Sequence, residues 1–203
     1  VLELLKSKRY DFSNITEPTF GKGNFIEEIP NVMSNTKSIR GLELQSEYYN
    51  EALSKRVQGI NYDLHNEDFF TFDIKKLFSN DEDNLIVGNL PWVTVSQLST
   101  FESRNIPKKA NIKGLNGYDA LTGKSNFDIA EYMSLSLLNV MNNLKTKSVL
   151  ALLVKNIVAK NIIKYIPNSN INPSRFNIYT IDAKKEFGVS VDACLMIIAV
   201  SYT

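Results

Sequence analysis

An α/β fold is predicted for these 203 residues: a mostly parallel sheet of seven strands, closed by an antiparallel C-terminal strand pair, with helices on both faces. Three observations predict it. Short apolar runs alternate with longer stretches of helical periodicity, the pattern of parallel strands joined by crossover helices. The last two apolar runs are separated only by "KKEFGVSV", too short for a helical crossover, so they pair antiparallel. The length suits one domain with a substantial core, taken as 1–203.

In chain order, "VLELLKSK" gives a helix over Val1–Lys8, and a short strand follows at Asn14–Thr16. A glycine-rich turn leads into a helix over Asn24–Met33. The run "SIRGLEL" is a strand at Ser38–Leu44, followed by a helix over Ser46–Val57. Further strands are predicted at Asn61–Leu64 and Asn84–Gly88, the latter ending in "GNLPW". A long helical pattern covers Phe127–Leu144 before the apolar strand Ser148–Val154. A helix over Val158–Ile166 and strands at Phe176–Ala183 and Asp192–Tyr202 complete the chain. It starts at Val1, inside a helical pattern, as a piece of something longer would.

A formal charge of +1 supplies no global basic field, so nucleic-acid contact would need local patches or a segment outside this sequence. One cysteine, Cys194, and one histidine, His65, exclude a disulfide framework and a Cys/His metal cluster. They also exclude any nucleophile–histidine relay that bypasses these two positions. No apolar run reaches the ~18–20 residues of a membrane span, and no secretory signal pattern is present, so the expected location is the cytoplasm.

Residues 96–126, rich in Lys, Asn and Gly, interrupt the alternation. A connection this long inside a compact domain is functional or disordered. Its "TGKS" fails as a phosphate-binding loop, because position 118 is Tyr where glycine is needed. Its Pro107–Lys113 stretch, "PKKANIK", reads as a solvated loop more readily than as a phosphate contact.

Four features carry chemistry. In "ITEPTFGKGNFIEEI", Glu17 is followed by Gly21 and Gly23 and then a helix start, so the backbone can approach a ligand beside free N–H donors. Taken alone, this equally describes an ordinary strand–helix turn. Glu43 lies 20 positions after Gly23, at the end of the next strand, where an acidic residue of a nucleotide-binding unit reaches ribose hydroxyls. In "NEDFFTFDI", Asp68 can accept from an adenine amino group while Phe69 covers the ring face, although Phe69, Phe70 and Phe72 serve a core equally well. Finally, "LIVGNLPWVT" ends a buried strand in Asn89-Leu90-Pro91-Trp92. All four lie at carboxyl ends of strands, where open α/β sheets bind ligands.

This ordered set, acidic-Pro-x-x-Gly-x-Gly-x-Phe, then Glu, then Asp-Phe, then Asn-x-Pro-aromatic, resembles the S-adenosylmethionine-dependent methyltransferases. Among them it is most similar to the DNA adenine-N6 methyltransferases of restriction–modification systems, and the resemblance covers nearly the whole chain. It implies a Rossmann-like methyltransferase fold and S-adenosylmethionine as cofactor. By it, Glu17, Thr19, Gly21 and Gly23 border the methionine end of the cofactor. Glu43 holds the ribose hydroxyls, Asp68 the adenine amino group, and Phe69 lies against the ring. The side-chain oxygen of Asn89 and the carbonyl of Leu90 accept the N6 hydrogens of the target adenine. Pro91 braces the turn and Trp92 stacks on the base. Phe187 matches a second aromatic near the flipped base, and fits a buried hairpin phenylalanine as readily.

Leu90 stands where the DNA enzymes usually have proline. Its contributing atom is a main-chain carbonyl, and as the residue before Pro91 it stays biased toward extended backbone. Asn-Leu-Pro-aromatic is also the form of the rRNA adenine dimethyltransferases, the alternative reading. Release-factor glutamine methyltransferases share Asn-x-Pro-aromatic too, so the motif specifies a planar amino nitrogen more closely than it specifies DNA. A non-catalytic cofactor-binding subunit is the alternative of another class. The resemblance further implies DNA as partner, a target-recognition region outside this chain or on a partner, and a cognate restriction endonuclease.

Overall fold

The computed structural model describes residues 1–93 and 128–201. Seven strands form one sheet: β1 (Asn14–Glu17), β2 (Ser38–Leu42), β3 (Asn61–His65), β4 (Asn84–Asn89), β5 (Ser148–Lys155), β6 (Pro173–Ile181) and β7 (Ala193–Val200). Their spatial order is β3-β2-β1-β4-β5-β7-β6. The pairs from β3 to β5 are parallel, whereas β7 runs antiparallel to both β5 and β6. The Rossmann-like arrangement with an antiparallel closing pair is therefore as expected, and the last strand inserts between β5 and β6.

Alternation along the central strands shows why helices are needed on both faces. Leu85 and Val87 of β4 join one apolar cluster, and Ile86 joins the other. Along β5, Val149, Ala151 and Leu153 face the first, while Leu150, Leu152 and Val154 face the second. A strand apolar at every position is stable only with both faces covered. The first cluster is closed by α1 (Leu2–Ser7), α2 (Asn24–Val32) and α3 (Ser46–Ser54), through Leu5, Ile26, Ile29 and Ala52. The second is closed by α4 (Ile129–Met141) and α5 (Asn156–Tyr165), through Leu135, Leu138, Val158 and Ile162.

Several boundaries differ from the sequence reading, for local reasons. Strand β2 stops at Leu42 rather than Leu44, and Leu44 is half exposed where the chain turns toward α3. Helix α3 stops at Ser54, ahead of the turn through Gly59, whose φ of 91° is left-handed. Strand β6 begins three residues early, at Pro173, behind a register shift between Pro173 and Arg175. The "KKEFGVSV" connection holds a short helix, α6 (Ala183–Phe187), capped by Asp182 and ended by Gly188 at φ 69°. It is one turn within a hairpin, so the antiparallel pairing stands. A 3-10 turn at Ile74–Leu77, capped by Asp73, was not foreseen.

Candidate active site

The parallel order brings the carboxyl ends of β3, β2, β1 and β4 side by side, so Asp68, Glu43, Glu17 and Asn89 follow one another along one edge of the sheet. Two adjoining pockets open there, of about 590 Å³ and about 540 Å³. Thr19, Gly21 and Asn89 line both, so the two form one cleft.

The first pocket holds Glu17. Its side chain is 3% exposed at the end of β1 and takes a hydrogen bond from the main-chain N–H of Ile26, in the first turn of α2. A carboxylate is favoured there by the orphan N–H groups of the helix start. Its Oε2, like the hydroxyl of neighbouring Thr19, has no hydrogen-bond partner among the described residues. Burial pushes the Glu17 carboxyl well above its ordinary value of 4.5, with the nearby Glu43 adding to the rise and Ile26 and Lys55 opposing it. A raised folded-state value means that the folded chain binds the proton more tightly than the unfolded chain. This site's contribution is then most favourable below pH 4.5 and declines as the pH rises toward the raised value. Glu17→Gln should therefore raise the melting temperature at neutral pH. Thermal unfolding across pH checks this; an unchanged or lower melting temperature at pH 7–8 would contradict it.

The second pocket is walled by Glu43, Asp68, Phe69, Asn89, Leu90 and Trp92, among others. Glu43 is 8% exposed; its Oε2 accepts from Gly21 N and its Oε1 from Gln45 N, each at 2.8 Å. The carboxylate thus ties the glycine turn to the start of α3. Asn66 was missed by sequence reasoning: its amide donates to the carbonyls of Glu43 (2.8 Å) and Leu44 (3.0 Å) and so fixes the end of β2. Asp68 accepts from Phe70 N at 2.9 Å. Phe69 is buried in the core yet reaches the pocket wall; Phe70 and Phe72 pack partly buried against the same cluster.

The two glycines of the turn differ. At Gly21, φ is 52° and a Cβ would meet nothing within 4 Å, so the backbone lies open to the cleft. Gly23 lines neither pocket; a Cβ there would lie 2.8 Å from Ala52 Cβ, so it lets α3 approach α2. Gly41 was not singled out. It pairs with Glu17 across β1–β2, and a Cβ would sit 2.4 Å from Glu17 O and 2.8 Å from the Phe20 ring. A glycine inside a strand pattern is the signal for such close backbone passage. Gly41→Ala should lower the melting temperature and cofactor affinity together, at a cost of about 1–3 kcal/mol from overpacking; calorimetry on the variant checks both.

At the end of β4, Asn89 is exposed, Leu90 is buried at 2% and Pro91 is exposed. Trp92 is half-buried, and its indole Nε1 donates to Leu153 O of β5 at 3.3 Å. Phe187 is 42% exposed and meets Trp92 edge-on, with centroids 5.5 Å apart at 82°. The two aromatics therefore come together across the sheet, with Phe187 on the first pocket and Trp92 on the second. The "PKKANIK" and "TGKS" stretches lie outside the described residues. No cluster of His, Cys, Asp or Glu able to hold a metal occurs among the described residues, and no helix of theirs is long and apolar enough to cross a membrane.

The sheet order, the antiparallel closing strands and a cleft at the carboxyl edge define the Rossmann-like methyltransferase fold. The fold is shared with a Listeria monocytogenes protein assigned as a class I S-adenosylmethionine-dependent methyltransferase, at TM-score 0.58 and 12% identity, over 93% of this chain and 54% of that one. It is shared too with a Vibrio vulnificus protein assigned as the modification subunit of a type I restriction enzyme (TM-score 0.57, 15% identity, 94% and 40% covered). In sequence the chain is homologous to the type II methyltransferase M.NspV of Nostoc sp. (strain ATCC 29411 / PCC 7524), 39% identical over 186 residues. That match covers 90% of this chain, which spans 38% of the relative's length. No protein-family model matches.

Proposed function

We propose that this chain is the catalytic core of a DNA adenine-N6 methyltransferase of a restriction–modification system, using S-adenosylmethionine. One observation carries the reading: Asn89, Leu90 and Trp92 share a cleft with the three carboxylates of Glu17, Glu43 and Asp68 and a glycine turn, which suit a nucleoside linked to an amino acid. The sequence likeness to a type II methyltransferase supports it, whereas the fold alone does not choose between DNA and RNA.

The residues fit the cofactor. The unpartnered Glu17 Oε2 and Thr19 hydroxyl suit its ammonium and carboxylate groups, beside the open backbone at Gly21. Glu43, already oriented by two main-chain donors, faces the second pocket with lone pairs left for ribose hydroxyls. Asp68 and Phe69 would take the adenine amino group and ring. When bound, the cofactor supplies a methyl group on a sulfonium.

The chain's own part is positioning. An exocyclic amine on a purine is a poor nucleophile because its lone pair is delocalised into the ring. The Asn89 side-chain oxygen and the Leu90 carbonyl would hold its two hydrogens and favour a pyramidal nitrogen with the lone pair directed at the methyl. This is preorganised electrostatics and requires neither His65 nor Cys194. Trp92, held through its indole N–H, would offer a face to an extruded base, offsetting part of the lost stacking. Such a stack contributes roughly 1–3 kcal/mol. Trp92→Ala should accordingly weaken productive DNA binding by about tenfold or more, with cofactor affinity unchanged; equal loss of both would place Trp92 in the cofactor site instead. Titration calorimetry with S-adenosylmethionine tests the underlying assignment, and absence of binding heat would favour another nucleotide.

A further inference from the structure

The second apolar cluster is crossed by a polar seam that the reaction does not use. Asp128, 7% exposed, caps α4 through Ala130 N at 3.0 Å and forms an ion pair with Lys155 Nζ, at the end of β5. One turn on, buried Glu131 accepts from Asn161 of α5 at 2.8 Å. Burial pushes the Asp128 carboxyl up, and Lys155 opposes that rise.

A pair this buried adds little net stability, since desolvation opposes the Coulombic attraction, and an uncharged replacement of both partners is often neutral. Its placement suggests a different use. Ile129 N, next to Asp128, donates to Val93 O at 3.0 Å, immediately after Trp92. Leu153, two residues before Lys155, supplies the carbonyl that holds the Trp92 indole. The two partners of the ion pair thus sit on the two backbone segments that anchor the Asn89–Val93 turn. We infer that the Asp128–Lys155 pair is a latch that positions Trp92 by locking the start of α4 onto the end of β5. Both residues are positioning residues. The inference rests on the proposed reading of the turn only for its effect on turnover.

Trp92 is the single tryptophan of these 203 residues and reports on the latch directly. In the full-length protein its emission is isolated by subtracting the spectrum of the matching Trp92→Phe variant. D128N/K155M leaves no charge stranded and keeps an oxygen at the cap. It should melt near the wild type, yet show red-shifted Trp92 emission, a raised acrylamide quenching constant and a kcat reduced about tenfold to a hundredfold with KM for S-adenosylmethionine unchanged. Lys155→Arg keeps the charge and should restore all three. Wild-type emission and quenching in the double variant would overturn the latch and leave the pair as core filling. If that variant does not fold, Asp128→Ser serves instead: it keeps a capping oxygen and frees Lys155, which is 17% exposed and can reach solvent. The same two outcomes decide it. A fluorescence change in a protein that methylates no DNA would keep the latch and remove the proposed function.

Discussion

Replacing Asn89 with Ala should lower methyl transfer by on the order of 10²–10³-fold while S-adenosylmethionine binds as in the parent. Asn89 is exposed at the end of β4 and lines both pockets, so truncation removes an acceptor without opening the core. The neighbouring carbonyl belongs to Leu90, which is 2% exposed and anchored in the second cluster, so the backbone half of the proposed acceptor pair stays in place. The loss should therefore fall on kcat, as for an interaction that strengthens as charge develops on the amine. Steady-state kinetics with calorimetry separates the two quantities. Retained turnover would remove Asn89 from the mechanism, and lost cofactor binding would move it to the cofactor site.

Gly23→Ala should be the most damaging single methyl group added to the glycine turn. The backbone there sits at φ 76°, and the new Cβ would lie 2.8 Å from Ala52 Cβ and 3.0 Å from Ala52 Cα. Left-handed strain of about 1–3 kcal/mol adds to an overpacking cost of about 1–3 kcal/mol. Because Ala52 Cα is main chain, α3 itself has to shift, and the link from its start to Glu43 shifts with it. Gly21→Ala is the control. Its φ is 52°, but a Cβ meets nothing within 4 Å, so it should fold with a smaller stability cost, about 1 kcal/mol, and lose cofactor affinity instead. Thermal melts and cofactor titrations of both variants decide this; equal stability loss at the two positions would refute the distinction.

The features legible in the sequence were those whose physics is local. The continuous apolar runs of β4 and β5, the short "KKEFGVSV" connection and the Gly-x-Gly elbow each announced their element, and together they placed Glu17, Glu43, Asp68 and Asn89 on one edge. What the sequence did not disclose depends on neighbours far along the chain. Gly41 matters because Glu17 O crosses it, and Asn66 matters because its amide meets Glu43 O and Leu44 O. A glycine inside a strand signals close passage at Gly41 without naming its partner, and the Asn66 contact leaves no spacing to read. The Asp128–Lys155 pair joins residues separated by a whole helix and strand, so it becomes visible only when β5 lies beside the start of α4. Gly23 shows the converse: its motif position was plain, but its packing partner, Ala52, was not.

Leu90 stands where the DNA enzymes usually have proline and gives the turn the Asn-Leu-Pro-aromatic form of the rRNA enzymes, so the identity of the product decides between the two. The decisive measurement incubates the full-length protein with methyl-labelled S-adenosylmethionine and, separately, duplex DNA and rRNA, then digests each to nucleosides. Label is expected in N6-methyladenine from the duplex and is lost in Asn89→Ala. Label in rRNA alone, or in another nucleoside, would contradict this expectation.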